Sequence, residues 1–312
     1  MRSAGESPRT DRKEAVIIVN PVAHNAPKPK SLKAVDEWLR EQGWRVQWRE
    51  TAGRGDAISL AARAADERVP LVFVCGGDGT LSEAANGLAG SETALAVIPA
   101  GTVNIWAREA GLLKKPLEAV QLAILGERRK VDLGRADSRY FLLMAGYGVD
   151  AAVVGNVSQG LKSRIGAAAY VLSALRELFR FRGSAIQMLL DGQAISADVL
   201  MLVAGNTRKY AGLVEITPTA KADDGWLDVC VFAGRGMRDL LLHGIRTVVR
   251  RHRGSKKVLY RRVKRLELQW EKPLPAQLDG DPYPESPTLV TVAPAALWVV
   301  LPKGFSSPLF SD

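Results

Sequence analysis

The sequence VFVCGGDGTLSEAANGL, which runs from Val72 to Leu88, decides the fold class that we expect. It begins with an apolar run typical of a buried strand and continues with Gly76, Gly77 and Gly79 around one aspartate. A helical pattern follows at once. In a parallel α/β sheet, ligands bind beyond the carboxyl ends of the strands. Glycines at such a place permit positive φ angles and a close approach of the backbone to a ligand. The stretch therefore predicts a strand, a ligand-binding loop and a helix.

The helix after this loop is expected to begin with a capping box formed by Thr80 and Glu83. Its free N–H groups and the positive end of its dipole would face the loop, and phosphate is the ligand that such a helix N-terminus typically binds. Asp78 would repel a phosphate, so we expect it to face a bridging Mg²⁺, directly or through water. A tight structural turn is the alternative. The P-loop and dinucleotide glycine motifs are absent, which argues against a P-loop NTPase and a dehydrogenase.

The first 135 residues alternate between strand and helix patterns. Helices are expected after Ser31 and Asp56, each as an N-cap. Strands are expected at residues 15–20, 45–49, 71–75 and 94–98. Continuous apolar strands separated by helices predict a parallel sheet that is covered on both faces.

The pattern changes after about Ser138. Two apolar runs around Asp191 and Gly192 predict a β-hairpin. Further strands are expected at residues 227–232, 266–270, 289–293 and 296–301, and helices at residues 165–181 and 237–250. The predicted fold is an α/β parallel-sheet layered domain followed by a mostly antiparallel β-sandwich domain. We place these domains at residues 14–136 and 137–303, between a disordered tail at residues 1–13 and a C-terminal tail at residues 304–312.

The composition is that of a soluble globular protein, because 47% of the 312 residues are hydrophobic and 24% are charged. Two cysteines are too few for a disulfide framework or a zinc site and suit a reducing compartment. The sequence contains neither an apolar run of eighteen residues nor a leader-like start. A cytoplasmic protein is therefore expected.

The formal net charge is +10, and much of it comes from one segment. From Arg246 to Arg265 there are ten Lys and Arg residues and no acidic residue. A solvated basic face is one interpretation, and contact with an anionic membrane surface is the other. Nucleic acid ranks third, since no nucleic-acid-binding motif accompanies the charge, and no specific nucleic acid is expected. We expect peripheral association with the inner face of the membrane.

Seven motifs follow one another along the chain in an order that resembles the diacylglycerol kinase catalytic domain family, which includes sphingosine and ceramide kinases. They are Asn20-Pro21, Thr51 with Gly55-Asp56-Ala57, GGDGT at residues 76–80, IPAGTVNIWARE at 98–109, KVDLG at 130–134, ITPTAKADDGWLDV at 216–229 and LDGD at 278–281. The resemblance covers residues 15–302. NAD kinases and phosphofructokinases are similar more distantly.

The resemblance implies an active site in the cleft between the two domains, with ATP as phosphoryl donor, Mg²⁺ as cofactor and a lipid hydroxyl as acceptor. Diacylglycerol is the expected acceptor, and a sphingoid base, ceramide or phosphatidylglycerol is the alternative. An alternative of another class is a catalytically weak, nucleotide-binding regulator associated with the membrane. An exposed strand edge in the second half would be compatible with a homodimer.

By resemblance, Asp281 is the general base, at a position where the family has glutamate, and Asp78 is the second catalytic acid. LDGDPY also fits a plain hairpin turn. Asp224 would hold a Mg²⁺ together with backbone carbonyls near Lys221 and Trp226, with water linking it to Asp78 and Asp132; a β-turn is the alternative. The residues expected around the nucleotide are Asn20, Thr51, Gly76, Gly77, Asp78, Gly79, Thr80, Leu81, Ser82, Glu83 and Thr102.

Two departures from the family pattern bear on the site. The loop after Asn20 has no glycine at the expected phosphate-side turn, so His24 or Asn25 could supply a left-handed backbone there, or the loop could be mobile. Ile105 stands where the family often has aspartate, so Asn104 is expected to carry more of the polar contact.

Overall fold

The computed structural model describes residues 12–149, 151, 182–210 and 214–311. Most of the predicted disordered tail and the predicted helix at residues 165–181 lie outside these residues. Lys13 is described and ordered, because its Nζ donates to the Gln42 carbonyl at 2.9 Å. Within the described part, no helix is both long enough and apolar enough to cross a membrane.

The first half is a parallel sheet with helices on both faces, as predicted. The strands are β1 (Glu14–Val19), β2 (Arg45–Glu50), β3 (Leu71–Gly76) and β4 (Ala94–Pro99), in the order β4-β3-β1-β2. The helices are α1 (Pro29–Glu41), α2 (Asp56–Asp66), α3 (Asp78–Leu88), α4 (Ile105–Glu109) and α5 (Pro116–Leu125). Every residue of β3 is buried, and its alternate side chains enter two different hydrophobic clusters. Period-two alternation therefore fills a core on each face of the sheet.

The second half is built from antiparallel strands, which confirms the predicted fold class. They are β5 (Glu127–Ala136), β6 (Arg139–Phe141), β7 (Met144–Gly148), β8 (Ser184–Leu190), β9 (Gln193–Gly205), β10 (Lys209–Tyr210), β11 (Val214–Glu215), β12 (Leu227–Ala233), β13 (Val258–Val263), β14 (Arg265–Trp270), β15 (Ala276–Leu278), β16 (Asp281–Tyr283) and β17 (Leu289–Leu301). A helix, α6 (Met237–Val248), lies between β12 and β13. The predicted turn at Asp191 and Gly192 joins β8 to β9, and both residues have positive φ.

Strand β17 joins the two halves of the chain through one sheet. It pairs antiparallel with β14 and β5, and then parallel with β4 of the first half. The two runs predicted around Ala295 are thus one strand, and its register shifts between Ala293 and Leu297. Because β17 contributes hydrogen bonds to strands of both halves, the sheet continues from the first half, which we call the α/β lobe or first lobe, into the second half, the β lobe or second lobe.

The C-terminal residues are packed and do not form the predicted tail. Leu309 and Phe310 are buried. The Phe310 ring makes an edge contact with Trp106, with ring centroids 6.3 Å apart, and the Arg129 guanidinium lies 5.0 Å from the Phe310 centroid. The end of the chain therefore packs against the helical side of the first lobe.

The predicted helix caps are wrong in three places. The N-cap residues are Lys28 for α1, Gly55 for α2 and Gly77 for α3, and none of them caps its helix with a side chain. Helix α1 begins earlier than predicted because Pro29 suits the first helical turn, where its missing N–H costs nothing. Asp56 instead accepts the N–H groups of Ala52 and Gly53, at 2.7 and 2.8 Å.

Candidate active site

The predicted nucleotide residues converge at the carboxyl edge of the parallel sheet. Asn20 follows β1, Thr51 follows β2 and Gly77 follows β3, so all three reach the same end of the sheet. They border a cavity of about 620 Å³, a size typical of small-molecule sites. Its lining residues are Asn20, Pro21, Val22, Ala23, His24, Thr51, Ala52, Gly53, Arg54, Gly77, Gly79, Thr80, Glu83, Gly101, Thr102 and Asp281. The cavity therefore brings together one wall from the first lobe and Asp281 from the second.

The glycine loop at residues 76–79 packs against the loop between β4 and α4, residues 100–104, which we call the second glycine loop. Close contacts explain the glycines at positions 76 and 77. A Cβ on Gly101 would lie 2.6 Å from the Gly77 Cα, and a Cβ on Gly76 would lie 2.7 Å from the Thr80 Cβ. None of Gly76, Gly77 and Gly79 has positive φ. The expected need for a left-handed backbone in this loop is therefore wrong. A side chain is excluded by Thr80 at position 76 and by the second glycine loop at position 77.

The N-terminus of α3 presents free donors to the cavity. The first N–H groups of a helix have no intrahelical acceptor, and here the first turn contains Gly79 and Thr80, which line the cavity. Asn20 Nδ2 donates to Thr80 Oγ1 at 3.1 Å and joins the loop after β1 to this turn. The predicted Thr80–Glu83 capping box is absent, since Glu83 Oε1 instead accepts the Gly55 N–H at 2.8 Å. Backbone donors and the helix dipole favour an anion at this end of the cavity.

The Asp78 carboxylate faces the N-terminus of α4. Its Oδ2 accepts the Ile105 N–H at 3.0 Å, and its Oδ1 accepts the Trp106 N–H at 3.3 Å. Burial raises the pKa of Asp78, while these two backbone donors oppose the rise. Asp78 is not among the residues that line the cavity, and its carboxylate faces α4. This side chain holds the second glycine loop against the first.

Asp281 reaches the glycine loop from the second lobe. Its Oδ2 lies 3.6 Å from the position that a Cβ on Gly79 would take. Its Oδ1 lies 3.4 Å from Arg54 Nη2, on the loop before α2. The Asp281 side chain is 34% exposed, so its carboxylate can reach both protein and solvent. The structure thus sets this carboxylate beside the start of α3.

The turn that carries Asp281 is anchored by Asp279. The buried Asp279 carboxylate accepts the N–H groups of Leu142, Leu143 and Met144 at 2.7 to 2.9 Å. Burial raises the pKa of Asp279, and the Ser82 hydroxyl on α3 is the main group opposing it. Ser82 and Leu81 are themselves buried and do not line the cavity. Their side chains support the site from behind.

The second glycine loop is held by two asparagines. Asn104 has φ of +53° and exchanges two hydrogen bonds with the backbone of Gly101, at 2.9 and 2.8 Å. Asn25 Nδ2 donates to the Gly101 carbonyl at 2.8 Å. Neither His24 nor Asn25 has positive φ, so neither residue supplies the left-handed backbone considered for the loop after Asn20. The polar role expected of Asn104 is instead structural, because its amide fixes the loop.

Three neighbouring aspartates lie in the region where a metal was expected. Asp224 forms an ion pair with Arg262 and accepts the Trp226 N–H at 3.0 Å. Both carboxylate oxygens of Asp132 accept backbone N–H groups, from Gly225 at 2.6 Å and from Ala295 at 2.7 Å. Burial, with repulsion from Asp224 and Asp223, raises the pKa of Asp132.

In this arrangement a Mg²⁺ at Asp224 would compete with the Arg262 guanidinium. The third carboxylate, Asp223, forms an ion pair with Arg129 at 2.5 Å and accepts the Ser311 N–H at 2.7 Å. Each carboxylate is thus occupied, and the two guanidinium groups supply the positive charge. Among the described residues there is no group of three or more metal-ligating side chains arranged around one point. A metal bound by Asp224 and the carbonyls of Lys221 and Trp226 would have to displace Arg262.

Arg54 and Asp279 were given no role from the sequence, and Asn25 was considered only for its backbone conformation. Only the tertiary structure brings Arg54 to Asp281 and the Asn25 amide to the Gly101 carbonyl. Asp279 did carry a signal, because it is the first aspartate of LDGD, followed by glycine in a hairpin. An aspartate of that kind often accepts backbone N–H groups.

Two family models match the chain and cover both lobes. The model described as the diacylglycerol kinase catalytic domain matches residues 14–136. The model described as the YegS C-terminal NAD kinase beta sandwich-like domain matches residues 144–301.

Individual relatives match over most of their length. A diacylglycerol kinase of Staphylococcus carnosus is 31% identical over 86% of this chain and 89% of its own length. A Pseudomonas putida protein named "Probable lipid kinase YegS-like" is 33% identical over 88% of this chain and 90% of its own. The crystal structure of a diacylglycerol kinase from Bacillus anthracis shares the fold, with a TM-score of 0.71 and 21% identity over 94% of this chain and 98% of that one.

Proposed function

This chain belongs to the diacylglycerol kinase catalytic-domain family and is an ATP-dependent lipid kinase, and we propose that its acceptor is the free hydroxyl of diacylglycerol. The observation that carries the proposed reaction is the position of Asp281 beside Gly79, within one cavity, and the choice of diacylglycerol is supported by relatives named diacylglycerol kinase. A kinase needs its phosphate-binding loop and its proton acceptor on opposite sides of the transferred group. Here each lobe contributes one of the two.

The triphosphate of ATP, taken as its Mg²⁺ complex, lies against Gly77, Gly79 and Thr80. The free N–H groups at the start of α3 and the positive end of its dipole stabilise the phosphate oxygens. Thr51 and Thr102, which border the same cavity, contact the rest of the nucleotide. Arg54 adds the cationic group that a loop without lysine otherwise lacks.

Asp281 takes the proton from the acceptor hydroxyl as general base. The hydroxyl oxygen forms a bond to the γ-phosphorus while the bond from that phosphorus to the bridging oxygen of ADP breaks, giving ADP and a phosphorylated lipid. Aspartate is one methylene shorter than glutamate. The hairpin between β15 and β16 nevertheless carries this shorter side chain to the start of α3, with its Oδ2 3.6 Å from the position of a Cβ on Gly79.

A lipid-kinase assay with radiolabelled ATP tests the proposal. The acceptors are diacylglycerol, sphingosine, ceramide and phosphatidylglycerol, each in mixed micelles with Mg²⁺. We expect labelled phosphatidic acid as the main product, and its formation to be lost in Asp281→Asn. A main product from another acceptor would contradict the diacylglycerol assignment. ATP binding without any lipid product would contradict the proposed reaction and favour a nucleotide-binding regulator.

A further inference from the structure

Helix α6 turns its apolar side chains outward. Leu241, Leu242, Ile245, Val248 and Val249 are 57%, 44%, 63%, 71% and 54% exposed. They make up five of the eight large hydrophobic side chains found exposed in the described part of the chain. A surface helix of a globular protein normally turns its apolar stripe inward. The exposed stripe therefore requires a partner or another explanation.

The buried side of the helix is polar and firmly attached. His243 Nε2 bonds the Ala233 carbonyl at 2.8 Å, and the His243 ring packs against Phe232 with centroids 5.2 Å apart. Thr247, which is also buried, donates its hydroxyl to the His243 carbonyl at 2.7 Å. The Thr247 bond lies within the helix, whereas the two His243 contacts join the helix to β12 and hold it with His243 inward. Rotating α6 to hide its leucines would break the His243 contacts.

An apolar groove runs beside the exposed stripe. Its volume is about 630 Å³, and its walls include Leu241 and Val248 on the helix, Met201 and Phe232 on neighbouring strands, and Ile216, which follows β11. The groove and the stripe share Leu241 and Val248, so they form one continuous apolar surface. Monomeric soluble proteins rarely leave a large apolar surface of this kind uncovered.

The residues around this surface carry positive charge. Arg238 and Arg246 are exposed on the same helix, and Arg250 and Arg251 follow it. No acidic residue occurs between Asp239 and Glu267. The basic segment that begins at Arg246 does not form one free face, however. Several of its members are engaged within the protein, namely Arg246 with Ser255, Lys257 with Asp239, Arg262 with Asp224 and Arg265 with Glu267.

Charge and apolar surface together select the partner. A symmetric dimer through this face would bring the same patch of two copies together, so arginine would oppose arginine. A nucleic acid would match the charge but would leave the leucines in water. An anionic bilayer satisfies both features, because acyl chains accept the apolar stripe and lipid phosphates pair with arginine.

We propose that α6 lies in the interface of an anionic membrane, with Leu241, Ile245 and Val248 among the acyl chains and Arg238 and the neighbouring Arg251 at the headgroups. This inference rests on the proposed function, because a diacylglycerol acceptor must be reached in a membrane. It replaces a docking surface spread from Arg246 to Arg265 by one helix. The helix contributes apolar insertion as well as charge.

A fluorescent label at Ile245 tests the insertion directly. Cys75 and Cys230 are both buried, and burial raises the pKa of each thiol to about 12, so an introduced surface cysteine can be labelled selectively. Ile245→Cys carries the environment-sensitive dye. Leu125→Cys, at a 72% exposed position on α5, carries it in the control.

Vesicles of phosphatidylcholine with and without phosphatidylglycerol are then added. We expect a blue shift and quenching by spin-labelled acyl chains at position 245, only with the anionic vesicles, and no change at position 125. If the protein sediments with the vesicles but the dye at position 245 still emits as it does in water, the proposal would be overturned. An emission already blue without vesicles would also overturn it, because the chain itself or a second copy would then cover the face.

Charged variants separate docking from catalysis. The double variant Ile245→Glu and Val248→Glu should lower vesicle binding about tenfold or more, whereas Leu125→Glu should lower it less than about twofold. Phosphorylation of a water-soluble, short-chain diacylglycerol should be unchanged in both. Equal vesicle binding by the double variant and wild type would refute the docking surface. Failure of the wild type to phosphorylate both short-chain and micellar diacylglycerol would refute the proposed function. The vesicle-binding measurement would still test the docking surface, because it does not depend on catalysis.

Discussion

Asp281 Oδ1 lies 3.4 Å from Arg54 Nη2, so an aspartate of the β lobe forms an ion pair with an arginine of the α/β lobe across the cavity. Both side chains are partly exposed, at 34% and 58%. An ion pair of this kind contributes at most about 1 kcal/mol to folding. Its importance is positional, because it marks where a proton acceptor and a cation meet beside the glycine loop.

Removing the Asp281 carboxylate tests its assignment as general base. Asp281→Asn should lower kcat by roughly 10²–10⁴-fold, because the amide cannot take the hydroxyl proton. The Kd for ATP, measured by calorimetry, should hardly change. Asp281→Glu, which restores a carboxylate, should recover much of the activity. Glu285→Gln, at an exposed acid after β16, is the matched control. An active Asp281→Asn enzyme would assign the proton transfer elsewhere.

Neutralising Arg54 tests whether its guanidinium contacts the phosphates. Arg54→Gln should raise the KM for ATP about fivefold, since a partly exposed charge contributes up to about 1 kcal/mol. The effect should shrink when Arg54→Lys keeps the charge. Arg63→Gln on α2, where the side chain pairs with Glu67 at 2.8 Å, controls for the loss of a surface cation. A KM equal to that of wild type would show that Arg54 serves only the ion pair.

Adding a methyl group between the glycine loops tests their close packing. In Gly101→Ala the new Cβ would lie 2.6 Å from the Gly77 Cα, a distance that forces the loops apart. We expect a loss of about 1–3 kcal/mol in the free energy of unfolding by urea, together with weaker ATP binding. Gly254→Ala meets no atom within 4 Å and should unfold as wild type does. Wild-type stability of Gly101→Ala would mean that the loops separate without cost.

The Asp224–Arg262 ion pair predicts the response to free Mg²⁺. Without nucleotide, thermal midpoints in EDTA and in millimolar Mg²⁺ should differ by less than the roughly 2 °C that 1 kcal/mol would produce. Arg262→Gln leaves the Asp224 carboxylate without its cation and should gain a Mg²⁺-dependent rise. A rise in wild type that Asp224→Asn abolishes would show that the metal displaces Arg262.

Some of the site could be predicted because it depends on local sequence. The strand, glycine loop and helix from Val72 to Leu88 are contiguous, and the hairpin at Asp191 and Gly192 needs only two residues that tolerate positive φ. The LDGDPY segment was open to two interpretations, a general base or a hairpin turn. The turn exists, and it is also what carries Asp281 to the cavity.

The direction of a side chain could not be predicted in the same way. Asp78, Asp132 and Asp224 were expected around Mg²⁺, yet each accepts backbone N–H groups, and Asp224 also pairs with an arginine. A sequence shows which groups can bind a cation. It does not show which N–H or guanidinium group from a distant segment will bind those carboxylates in the folded protein.

The sequence by itself determined the alternation of strands and helices in the first half, the change to mostly β-strands in the second half, the glycine loop and the excess of positive charge, because each depends on composition or on neighbours along the chain. Only the tertiary structure decided that β17 joins both lobes, that Asp281 meets Gly79 and Arg54, and that α6 turns its leucines outward. These features depend on contacts between distant segments. Such contacts are set by packing and hydrogen bonding across the whole fold.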